Sequence, residues 1–141
     1  MTWVLVMNLA TAWAMTGVIW TMQLVHYPVL ATASAAAPAE AVRRHRRGIT
    51  PIVAPLMAAE LIGACLLIAD ASGAVSRPVA ILAAALLAGS LGLTALYFAP
   101  LHGRLARRHD DADARRLVSV NWFRTIAWTL RAAVLTLAAV V

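Results

Sequence analysis

Three ionisable side chains interrupt stretches of sequence that are otherwise apolar. Glu60 stands in the run from 51 to 69, and Arg124 and Arg131 stand in the run from 117 to 141. An ionisable group in hydrocarbon costs at least about 2.5 kcal/mol unless it is paired or hydrated, so each is a functional candidate by default. If both runs enter the bilayer from the same face, a rise of 1.5 Å per residue puts Glu60 roughly 14 Å deep and the two arginines roughly 10 and 21 Å deep. The glutamate then lies between the arginines. A carboxyl group so placed could act as general acid or base, and a guanidinium could hold an anion or stabilise developing charge. The structural alternative is a Glu–Arg pair that only ties two helices together, a kind of contact that contributes about 0.6 kcal/mol. Two arginines against one glutamate leave a guanidinium over, to be satisfied by an anionic ligand, by water or by a snorkelling route.

Helical spacing decides which groups look the same way. Asn121, Arg124, Thr125, Trp128 and Arg131 recur at three- and four-residue steps. Thr16, Trp20, Gln23 and Tyr27 form a similar stripe with His26 beside it, and Ser90, Thr94 and Tyr97 lead to His102 just beyond Pro100. With His45 in the preceding basic loop, these groups define an expected polar, tryptophan-lined cavity. Glu60, Arg124, Arg131 and Asn121 would be its reacting and charge-stabilising groups. Trp20, Gln23, Tyr27, Tyr97 and Trp128 would lie against the ligand, a hydrophobic small molecule, anionic in one version, arriving from the bilayer. Oxidation, isomerisation and cyclisation all fit. His26, His45 and His102 would also suit zinc, copper or iron, or two of them haem, although no short spacing such as His-Glu-x-x-His accompanies them. A redox protein holding haem or a divalent metal through His26 and His102 is thus a second class, and a non-enzymatic membrane subunit a third. His109 with Asp110, Asp111 and Asp113 reads as a solvated charged loop. Trp3 and Trp122 read as interfacial belt residues.

The elements that must position these groups follow from composition. Of 141 residues, 62% are apolar and only 13% charged, with 12 arginines and no lysine. A soluble domain carries about 25% charged residues, so this chain cannot cover its own surface with them and belongs in a membrane. The single cysteine, Cys65, excludes a disulfide framework. About 20 apolar residues cross a hydrocarbon core of about 30 Å, and four such runs occur, at 3–25, 51–69, 78–98 and 117–141. They are continuous rather than alternating, which excludes a membrane barrel. The expectation is one all-α domain over residues 1–141, an integral membrane four-helix bundle. Pro28, Pro51, Pro78 and Pro100 mark span ends, and Pro55 a kink one turn inside the second span. Ala10 with Ala14, Ala59 with Gly63, and Ala88 with Gly92 are candidate close-packing pairs. The alanine-rich stretch at 31–41 is a short interfacial helix or a connector, and its signal-peptide-like small residues lack the preceding positive charge of a cleaved signal.

Arginine placement orients the bundle. Arg43, Arg44, Arg46 and Arg47 lie between the first two spans and Arg104, Arg107, Arg108, Arg115 and Arg116 between the last two, against Arg77 alone on the other side. The positive-inside rule makes the arginine-rich side cytoplasmic and both termini extracytoplasmic, in the cytoplasmic membrane of a bacterium. These arginines meet lipid headgroups; no aromatic-interleaved basic surface suggests nucleic acid. A homo-oligomer is compatible with so small a bundle.

The motifs His26-Tyr27-Pro28, Arg43-Arg44, Ile49-Thr50-Pro51, His102 after the third run and Asn121 in the fourth give a layout that resembles the small four-helix bacterial protoporphyrinogen oxidase family over most of the chain. In that family an aromatic-Leu-Pro-Arg turn ends the first helix and a Met-Glu-Arg-Arg run precedes an Ile-x-x-Pro helix start. Here Val29 stands for the arginine and Ala41-Val42 for the Met-Glu, and the family's intramembrane lysine has no counterpart. The resemblance implies a small haem-associated or redox membrane enzyme. In size and span number the chain is also similar to anthrone-oxygenase-like membrane proteins.

Overall fold

Long apolar runs in a medium without water must satisfy their backbone internally, and a helix does so within one segment. The computed structural model describes residues 2–32, 38–70, 72–108 and 110–140. Among them, four helices are long and apolar enough to cross a membrane: Trp3–Ala31, Ala39–Ala69, Arg77–Leu105 and Asp111–Val140. The first span comprises α1 (Trp3–Thr21), a π-helical turn (Met22–His26) and α2 (Tyr27–Thr32). The second is α3 (Pro38–Ala69). The third comprises α4 (Arg77–Leu93), a second π turn (Thr94–Phe98) and α5 (Ala99–Leu105), and the fourth is α6 (Asp111–Val140). The proposed cleavage motifs around 33–35, most of the alanine-rich connector, and His109 lie outside the described residues.

At the arginine-rich end every span runs further than the apolar runs foretell, and the prolines explain how. Of the four prolines expected to mark span ends, Pro78 alone does so, in the first turn of α4. Pro51 and Pro55 sit inside α3. Pro28 and Pro100 each come directly after a π turn, in which the N–H of Tyr27 donates to the Met22 carbonyl and that of Ala99 to the Thr94 carbonyl. Proline removes one helix donor and collides with the carbonyl four residues back; widening the preceding turn by one residue relieves that collision, so the helix continues. Polar residues sustain the extensions: Arg43 pairs with Glu40 at 2.6 Å, and Arg104 with Asp113 at 2.9 Å. The Asp110 carboxylate accepts from the Asp113 N–H at the start of α6. At the opposite end Gly73 takes a positive φ of 73°, which a glycine adopts without strain, and lets the chain turn from α3 into α4.

Each span packs against its sequence neighbour, and α6 closes the ring against α1. Small residues, Ala12, Ala80, Ala83 and Ala132, with Leu67 and Leu135, fill the interior at the end away from the arginines. Of the expected close-packing pairs, only the one at Gly63 meets a neighbour: a Cβ there would lie 3.0 Å from the Asn8 side chain. Ala10, Ala14 and Ala88 face outward. Large apolar groups such as Trp3, Leu96, Phe123 and Leu137 are exposed around the outside, as a bilayer-facing surface requires. The indole N–H groups of Trp13 and Trp20 donate to Thr136 and Thr129 at 3.0 Å, riveting α1 to α6 where no water could accept from them.

Candidate functional site

Two buried polar regions occupy the bundle, one above the other along α6. In the region nearer the termini, Glu60 is fully enclosed and both its oxygens are taken. Arg131 Nη1 donates to one at 2.7 Å and Trp128 Nε1 to the other at 2.9 Å. The second Arg131 nitrogen, Nη2, donates to Asn8 Oδ1 at 2.9 Å, and Asn8 Nδ2 donates to the Gly63 carbonyl at 2.8 Å. Three spans are thereby joined through one carboxylate, one guanidinium and one amide. The absence of a side chain at Gly63 lets the amide approach.

The second region lies at the arginine-rich end. Arg124 is 95% buried, with 5% of its surface exposed. Its Nη1 donates to Asn121 Oδ1 at 3.1 Å, the Tyr27 hydroxyl bonds to it, and its guanidinium carbon lies 4.5 Å from the centre of the Phe98 ring and 5.1 Å from that of Trp128. Its Nε, like that of Arg131, has no partner among the described residues, and no carboxylate there pairs with it. Beside it, three spans bring three imidazoles together. The His26 and His45 ring centres are 4.4 Å apart, those of His45 and His102 5.4 Å, and Tyr27 lies 5.8 Å from His102. His102 Nδ1 and the Phe98 carbonyl are 2.8 Å apart; since a carbonyl only accepts, the proton sits on Nδ1 and Nε2 keeps its lone pair. That Nε2, like Nε2 of His26, is buried without a partner among the described residues. A cavity of about 180 Å³ opens here, lined by Arg124, Tyr27, His45, His102, Arg46 and Phe98, with Met15, Val53 and Met57 at its deeper end.

The chain matches no protein-family profile, no curated protein and no solved structure. The site therefore stands on its own geometry.

Several sequence expectations meet at this cavity and others do not. Tyr27, His45, His102 and Arg124 line it, with Asn121 behind the guanidinium. Glu60 and Arg131 do not: they are consumed by each other, Asn8 and Trp128. Arg131 is the glutamate's salt-bridge partner, so the glutamate is not shared between two arginines. Trp128 spends its N–H on Glu60 and offers Arg124 only a ring face. Gln23 donates to the Val118 carbonyl and accepts from Asn121, fixing α6 rather than facing the cavity. Trp20 stands on the outer surface against Trp122, and Tyr97 packs on Phe98. Asn8, Phe98 and Arg46 are additions that spacing alone did not single out. As they stand, the histidine rings are near-parallel, and among the described residues no three His, Cys, Asp or Glu side chains surround a common point as a metal would need.

Proposed function

We propose that the protein is a membrane-embedded enzyme that binds a hydrophobic small molecule through an acidic group at Arg124. The observation that carries this reading is a desolvated guanidinium, facing a cavity, that has no carboxylate partner among the described residues. A buried cation without a counter-charge is costly, and the anion of a ligand supplies one. The chemistry beside it belongs to His102. Its Nδ1–H is anchored on a backbone carbonyl, so Nε2 is held as a proton acceptor. Arg124 is placed to stabilise the charge that appears on the acid when a neighbouring proton leaves. Proton removal at one atom and return at another is an isomerisation or a ring closure, and neither needs a co-reactant. Glu60 takes no part in this scheme: it holds the bundle together.

The test is mass spectrometry of small molecules extracted with the gently solubilised protein. An acidic, lipid-soluble compound present with the native chain and absent from Arg124→Gln supports the reading; identical contents would overturn it.

A second reading is favoured by the two unpartnered Nε2 atoms of His26 and His102. A histidine anchored through Nδ1 has the posture of a metal or haem ligand, and such a cofactor would supply redox chemistry. Among the described residues no three His, Cys, Asp or Glu side chains surround a common point, so the residues as placed do not fit a metal and no step is routed through one. A Soret band or stoichiometric metal in the extracted protein would replace the proton-transfer scheme with this one.

For orientation, the arginine-rich end is cytoplasmic by the positive-inside rule. In a chain lacking Cys65, cysteine at Ser76 labels from outside and cysteine at Arg107 does not; the reverse pattern would invert the assignment.

A further inference from the structure

Next to the inner cavity runs a wider hollow of about 410 Å³ between the first and second spans, walled by Val29, Leu30 and Ile52 with Arg44 at its rim. Met22, His45 and Ile49 line both spaces. The two therefore lie side by side, with those three residues as their common wall. Val29 and Ile52 are more than half exposed, so the outer hollow opens sideways toward lipid. The inner space is less than half as large as the outer hollow, about 180 against 410 Å³. It has room for a compact acidic group and the first few carbons attached to it. Of the three arginines nearby, Arg44 and Arg46 are exposed and can be hydrated, whereas Arg124 is desolvated and has no carboxylate partner among the described residues.

We propose that cavity and groove form one two-part site, and that its ligand is a carboxylic acid bearing a single long apolar chain. The carboxylate sits on Arg124, and the chain passes Met22 and His45 into the groove lined by Val29 and Ile52. This rests on the acid-binding reading of Arg124 and adds the class of ligand and its path of access.

Palmitic acid carrying a terminal diazirine tests it on the full-length protein in detergent micelles, with peptide mapping of the crosslinks. Saturable labelling falls on the segments of Val29 and Ile52, and palmitic acid competes where hexadecanol does not. Arg124→Gln weakens competition about tenfold or more, the loss of one well-made charged contact, while Arg44→Gln changes it less than about twofold. Because Arg124→Gln alters a buried residue, a surface variant gives a second handle. Ile52→Trp fills the groove and weakens palmitic acid about tenfold while hexanoic acid binding stays within about twofold. If hexanoic acid binds as tightly as palmitic acid and Ile52→Trp affects neither, the two-part site is wrong but the acid site stands. Labels on Met15 or Met57, with Arg44→Gln the damaging variant, would reverse the ligand and overturn the proposal. Labelling equal for acid and alcohol means bulk lipid in the groove, and both readings fall.

Discussion

Arg124 and Arg131 lie two turns apart on one face of α6, about 10 Å along the axis, and both are almost completely buried, yet their surroundings are opposites. Around Arg131 the charges balance: a carboxylate takes one terminal nitrogen, an amide the other, and that amide closes on a backbone carbonyl, although its Nε, like that of Arg124, has no partner among the described residues. Around Arg124 they do not: it has an amide oxygen, a phenol, two ring faces and a hollow in front of it, and no carboxylate among the described residues. A satisfied buried charge is a fastener, since removing either member leaves the other stranded. On the acid-binding reading proposed above, an unsatisfied one is a receptor whose missing partner comes from outside. The same residue type thus serves two purposes, distinguished by whether its counter-charge is built in.

Breaking the fastener gives the largest expected effect. Glu60→Gln leaves Arg131 without its anion and lowers stability by about 3–5 kcal/mol, seen as early melting in detergent, while the melting shift produced by bound ligand persists. Loss of ligand response with unchanged melting would move Glu60 into the receptor. The reverse experiment is Arg124→Met, which removes a cation that lacks a carboxylate partner. Its ligand-free melting temperature stays equal to the native one or rises, and acid binding disappears; a loss as large as that of Glu60→Gln would show that Arg124 is also a fastener.

A smaller effect sharpens the geometry of the network. Gly63→Ala puts a methyl group 3.0 Å from Asn8 and costs about 1–3 kcal/mol, as overpacking does. In the background of Asn8→Ser, where the obstructed amide is gone, the same change costs much less. Equal costs in both backgrounds would mean that the contact is relieved elsewhere. The smallest effect lies outside both regions. The Asp70 carboxylate accepts from the backbone N–H and the hydroxyl of Ser72, which hold its pKa below the usual value. A depressed carboxyl pKa stabilises the folded chain above the unfolded value and ceases to do so as pH falls through the folded one. Removing this contact with Asp70→Asn therefore flattens the dependence of melting temperature on pH only below about pH 4, slightly, since the group is exposed.

How much of this was legible in sequence depends on what each residue needed. The spans are visible because hydrocarbon demands uninterrupted apolar length. Their ends are not, because ion pairs such as Arg104–Asp113 and the two π turns carry helix past charges and prolines that ordinarily stop it. Arg124, Tyr27, His45 and His102 were recoverable as polar groups at matching depth. Thr16, Gln23 and Tyr27 do share the buried face that their spacing foretold, while Trp20 lies outside it; what spacing could not show is that Gln23 spends its amide on Val118 and Asn121. Asn8, an amide near the far end of an uncharged run whose other amide is Gln23, carried a signal that went unused. Its partner, the carbonyl of Gly63, is a main-chain atom and leaves no mark in the residue types. Whether Glu60 fastens or reacts depended on distances no spacing rule contains.

Spans of 29–31 residues extend about 44–46 Å, some 15 Å beyond a hydrocarbon core of about 30 Å, and the charges place that surplus at the arginine-rich end. The imidazoles and Arg124 consequently stand at the seam between two immiscible phases. Arg46 and Thr50 on one side of α3 are exposed where water and ions can reach, and Val29 and Ile52 on the other face hydrocarbon. On the acid-binding reading, a compound dissolved in the bilayer would stay anchored there by its tail while its acidic end met the aqueous side.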